Sequence, residues 1–171
     1  PICLVMINRI LPALTLSLSC TAAVADVTVR FQEGAPKDKF IISSDCTIAN
    51  VDLTIDLRGS AGALIFDVTA SGAGVEVFQP VEVQAGRVAM SPVVDGDQVL
   101  SLQVTAVPTG SDVIVSADLD DVLAESALGQ IRVSGRELDG ATVSISYDGG
   151  DETAQFTGGT NVVTFAHGCL S

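Results

Sequence analysis

Four acidic residues fall within eight positions: Asp118, Asp120, Asp121 and Glu125. The first two interleave with Val113, Val115, Ala117 and Leu119 in a period-two pattern, so on a strand Asp118 and Asp120 project to one face. Asp121 then enters the following loop, and Glu125 stands one helical turn further on. Hard cations want oxygens converging in this way, roughly six to eight of them for Ca²⁺. Calcium is therefore the cofactor the pattern suggests, with these four residues as its ligands. The turns Asp95-Gly96-Asp97 and Asp148-Gly149-Gly150-Asp151-Glu152 offer further carboxylates. None of the three follows the spacing of an EF-hand loop. The competing reading is that acidic loops on an acidic protein are simply solvated.

Catalytic groups are scarce. His167 is the only histidine, and a serine triad would have to use it as base. No Gly-x-Ser-x-Gly elbow occurs. Paired carboxylates can cleave glycosides, yet the chain has one Tyr and no Trp from which to build a sugar platform. Gly72-Ala73-Gly74 leads into an apolar alternation that reads as a strand, whereas a phosphate cradle needs a helix N-terminus. No catalysis is expected.

The elements that would position these groups are strands. In 51–57 every odd position is apolar and every even one polar, the mark of a half-buried strand. The pattern recurs in Val27, Val29 and Phe31, in Leu100, Leu102, Val104 and Ala106, and in Ala141, Val143, Ile145 and Tyr147. Shorter candidates are 40–43, 63–67, 75–83, 131–133, 153–156 and 162–166. Within 75–83, Pro80 suits only an edge or a bulge, where it either admits or blocks a partner strand. Gly, Pro and Asp clusters separate the runs. About ten strands at this spacing predict a single antiparallel β-sandwich, immunoglobulin-like or jelly-roll-like, with one short helical turn at most, over 121–128.

The N-terminal stretch reads as a secretory signal over 1–25, with translation starting at Met6. Arg9 precedes an apolar core too short to span a bilayer, and Ala23-Val24-Ala25 offers a peptidase site. Residues 26–171 then form one domain. Losing Arg9 takes the formal charge from −13 to −14, a field that repels nucleic acid and anionic headgroups and attracts cations. No membrane insertion is expected after signal removal. Cys46 and Cys169 survive the cut, and an oxidising compartment would pair them, tying the last strand to an early one.

Arg30-Phe31, the run from Glu33 to Asp38, and especially Gly62-Ala63-Leu64-Ile65-Phe66-Asp67-Val68-Thr69 leading to Gly72-Ala73-Gly74-Val75-Glu76-Val77-Phe78-Gln79-Pro80 carry a resemblance. They are similar to the small exported proteins of marine alphaproteobacteria described as aggregation-factor-core-like, over nearly the whole of 26–171. That label comes from the core protein of sponge aggregation factors, extracellular assemblies that hold cells together in a calcium-dependent way. The resemblance implies an extracellular, adhesion-type role and cation sites, and it carries over no site residue. The expectation is a secreted or periplasmic, non-catalytic binding or adhesion module, assisted by calcium, meeting a protein or glycan at a cell surface. The alternatives are a structural cell-surface or matrix protein without a specific ligand, and a small hydrolase.

Overall fold

The computed structural model describes residues 24–71, 77–122, 133–147 and 150–168. They contain eleven strands and, among the described residues, no helix. In chain order these are β1 (Val24–Gln32), β2 (Asp38–Ser44), β3 (Ile48–Asp56), β4 (Ile65–Asp67), β5 (Glu82–Ala85), β6 (Arg87–Met90), β7 (Val99–Val107), β8 (Val113–Asp120), β9 (Thr142–Tyr147), β10 (Gly150–Gln155) and β11 (Val162–Gly168). One antiparallel sheet runs β11-β1-β2-β8-β4, with β5 also on β8; the other runs β10-β9-β3-β7-β6. The arrangement is the β-sandwich that the alternation predicts.

The two inner faces meet through the apolar half of each alternating run. Val29, Phe31, Phe40, Ile42, Val113 and Val115 of the first sheet share one buried cluster with Leu53, Ile55, Leu100, Leu102, Val143 and Ile145 of the second. Phe31 and Phe40 are directly opposite in the β1–β2 register, their rings 5.6 Å apart and tilted by 52°. Each such side chain, fully buried, contributes roughly 1.5–3 kcal/mol, so the aliphatic core suffices without tryptophan.

The chain passes from the first sheet to the second at Gly86, between β5 and β6. Its φ of +92° lies in the left-handed region, and a Cβ there would meet Cγ2 of Val113 at 2.6 Å. Only glycine turns this corner without strain. The alternation of 75–83 is not realised as one strand. Residues 77–81 form a loop and pairing starts at Glu82; Pro80 has no N–H to give a ladder. β6 lies outside every run that alternates clearly. Of the short candidates, 40–43 and 162–166 lie within β2 and β11, while only part of 131–133 and 121–128 falls among the described residues.

Candidate functional site

On β8 the core takes Val113, Val115, Ala117 and Leu119, so Ile114, Ser116, Asp118 and Asp120 face outward. An outward face of an antiparallel sheet is ordinarily wet. Here it is roofed: Asp118 is 7% exposed and Asp120 1%. β4 lies antiparallel beside this end of β8, with Phe66 opposite Leu119 on the core side, Ile65 opposite Asp120 and Asp67 opposite Asp118. Asp67 is 0% exposed. Three aspartates thus share one covered outer face.

Two more carboxyls are buried at the same end. Asp38, at the start of β2, pairs with Ala117 and takes the core-side parity of Phe40. Its carboxyl accepts hydrogen bonds from the backbone N–H of Gly34, at 3.0 Å, and of Leu119. It therefore closes the β8 edge where β2 runs out. Asp121 steps off the strand and is buried as well.

The roof includes two arms. Gln79 is held by its N–H on the Val68 carbonyl, at 3.1 Å, and its Nε2 donates to Oδ2 of Asp118 at 2.5 Å. Its Oε1 is buried and makes no hydrogen bond. Lys37 reaches across from the loop before β2, its Nζ donating to the Pro80 carbonyl at 2.7 Å and pairing with Oε2 of Glu82 at 2.6 Å. Glu82 is itself the first residue of β5, so Lys37 pins the 77–82 segment over the sheet face.

This environment penalises negative charge. Burial pushes the Asp38 carboxyl up to about 7, with Asp118 and Glu33 adding repulsion and the Gly34 and Leu119 amides opposing it. Burial likewise pushes Asp118 up to about 6; the charge of Asp67 adds to the rise, while Lys37 and the Gln79 amide resist it. An ionised carboxylate taken out of water costs several kcal/mol unless it is matched by opposite charge. Among the described residues no three acidic, histidine or cysteine side chains already stand in the arrangement of a metal centre. What the fold supplies is the backbone placement of the carboxyls.

Of the residues the sequence singles out, Asp118, Asp120 and Asp121 come together at one buried end, whereas Glu125 lies outside the described residues. Asp38, Asp67, Gln79 and Lys37 escape a local reading, because each arrives from a distant part of the chain. The other acidic turns are structural where they are described. Oδ1 of Asp95 accepts from the amides of Val68 and Thr69, at 3.0 and 3.3 Å, and Oδ2 of Asp97 accepts from Val94 N–H at 2.8 Å. Glu152 accepts from the Tyr147 hydroxyl at 2.6 Å, and Asp148 is outside the described residues. His167 pairs with Ala25 on β11. That places its backbone three strands from β8, about 14 Å away at the usual strand spacing. The exposed face of the second sheet carries a shallow depression lined by Asp52, Thr54, Ser144, Ser146, Asp151 and Thr153, open to water and without an aromatic platform.

Comparison with protein-family models, with curated proteins and with solved structures finds no match for this chain. Its chemistry has to be read from its own side chains.

Proposed function

We propose that this chain is a secreted, non-catalytic β-sandwich module for binding or adhesion, and that calcium orders the loops over one end of its first sheet. The observation that carries the reading is the joint burial of Asp38, Asp67, Asp118, Asp120 and Asp121, where Lys37 is the cation acting on Asp118. A divalent ion would add positive charge at this acidic end and bridge its carboxyls. Beside the roof, Val77 and Phe78 are 51% and 66% exposed, an apolar surface of the kind a partner covers. The partner class is a protein or glycan at a cell surface. Export and a Cys46–Cys169 disulfide belong to the same reading. In its support, Cys46 is a bonded cysteine, and β11 runs along β1 towards the end where the Asp45 amide bonds the Asp26 carbonyl.

Calorimetric titration of the purified 26–171 domain with Ca²⁺, paired with thermal melting, tests the cation. At a hundredfold excess over Kd the gain is about 2.7 kcal/mol, or roughly 5–10 °C for a domain of this size. Absence of both heat and a rise in Tm rejects the calcium reading. Cell aggregation that survives both chelation of calcium and deletion of the gene rejects the adhesion role.

A further inference from the structure

We infer that β11 is an open pairing edge, and that its occupant is β11 of a second copy of this chain, laid antiparallel about a two-fold axis at Thr164. The two first sheets then run on as one across the pair. This surface lies at the far edge of the sheet from the roofed end of β8 and does not depend on calcium.

Edge strands are ordinarily blunted by shortness, charge, proline or a bulge, because their free N–H and C=O groups invite another strand. The other edges here carry such devices. β4 is three residues long and buried throughout, and β5 has Glu82 and a slipped register. β6 has four residues, a register slip beside Arg87, and Pro92 just beyond its end. β10 carries Asp151 and Glu152. β11 has none of them. Its seven residues, about 23 Å of strand, keep an unbroken register with β1, and 153–168 contains no Asp, Glu, Lys, Arg or Pro.

The β1–β11 ladder fixes which groups are on offer. Phe31 N–H donates to the Asn161 carbonyl at 2.8 Å, one step beyond the Arg30–Val162 pair. Antiparallel pairs alternate between bonded and non-bonded, so Val163 and Phe165 spend their backbone groups on Val29 and Val27. The bond from the Asp45 N–H to the Asp26 carbonyl agrees, since it turns the even residues of β1 towards β2. Val162, Thr164 and Ala166 therefore direct N–H and C=O away from β1, and among the described residues no backbone partner meets them. All three are exposed, Val162 by 40%, while Val163 and Phe165 are buried in the core.

These free groups are self-complementary. With the axis at Thr164, Val162 faces Ala166 of the second copy and Thr164 faces its own counterpart. The free N–H and C=O groups then fall into bonded pairs, about six hydrogen bonds in all, and Val163 meets Phe165 of the second copy on the core side. Charge selects this occupant. A cationic partner drawn by the net charge of −13 finds no carboxylate on β11, and an anionic one is repelled by the rest of the chain. A second β11 sets no like charges opposite each other. Repulsion between two acidic bodies remains, so the pair should tighten as salt screens it.

The test is sedimentation equilibrium of the purified protein in chelator at low and high salt, beside T164D, T164K and A89K, with melting curves as a folding control. Wild type should form a reversible dimer that strengthens with salt. T164D and T164K each put like charges on the axis and should weaken the dimer by about tenfold or more, while an equal mixture of the two should pair again. A89K, on the edge of the second sheet, should dimerise as wild type does. A wild type that stays monomeric at high salt up to about millimolar chain overturns the proposal. So does a dimer that neither T164D nor T164K weakens, or an extended peptide that pairs with β11 of a monomeric chain. Should T164D not fold, T164K against A89K decides: equal loss in both, or none in either, overturns the assignment.

Discussion

Replacing Asp118 by Asn should stabilise the calcium-free protein and abolish its response to calcium. The substitution keeps the side-chain shape and an oxygen for Nε2 of Gln79, and removes only the charge. Asp118 sits at about 6 against an ordinary 3.8, about 2 pH units, or up to about 3 kcal/mol of penalty on the ionised form. Solvent at the rim trims this to about 2 kcal/mol. At pH 8 in chelator, D118N should therefore melt about 4–8 °C above wild type. Saturating calcium should lift wild type by a similar amount and leave D118N nearly unmoved, so that the order closes or reverses. Because the folded pKa is raised, the acid form's advantage is fully present below about pH 4 and is lost as pH rises through about 6. The chelator difference should accordingly vanish near pH 4. Melting curves at pH 4 and pH 8, each with and without calcium, measure all four states. A D118N protein less stable than wild type in chelator at pH 8 would refute the electrostatic reasoning, since the carboxylate would then be stabilising in its own right.

Asp38 gives the same sign over a wider window: with its folded pKa raised to about 7, the calcium-free protein should lose stability between about pH 4 and pH 7, and urea unfolding should show D38N with a shallower slope there. Gly140, at φ +96°, packs against Gly59, and a Cβ at 140 would land on the Gly59 carbonyl oxygen. Gly140→Ala should cost about 3 kcal/mol or more in chemical denaturation, from the left-handed backbone and the overlap together. Gly110→Ala is the control, at φ +71° with nothing near its Cβ, and should cost about 1 kcal/mol; equal losses would show that the close approach is not there. Cys46 and Cys169 should resist alkylation until a reductant is added, and reduction should lower stability by about 2–5 kcal/mol; mass-spectrometric labelling of either thiol without reductant counts against the pairing.

Much of the architecture is written locally. Period two in 51–57 and in 113–120 dictates both the strands and their faces, since side chains on a pleated backbone must alternate. Parity alone therefore puts Asp118 and Asp120 on the side away from Leu119. The same reasoning misreads 75–83, where Val75, Val77, Val81 and Val83 share one parity but Phe78 and Gln79 break it, Pro80 cannot donate and Lys37 draws its carbonyl into another contact. Alternation reports which residues could share a face, and it is silent on whether a neighbour exists to pair with.

The sequence by itself thus determined the all-β character, the aliphatic core and the acidic run on β8, because these depend on residue type and spacing within a few positions. Only the tertiary structure decided that the outer face of β8 is covered, that Asp67 lies opposite Asp118 across 51 positions of chain, and that Gln79 turns its amide onto Asp118. Burial is the physical reason this matters. A carboxylate in water is unremarkable, and the same group under a roof becomes a costly charge that needs a proton or a cation, yet nothing in the local pattern reveals the roof.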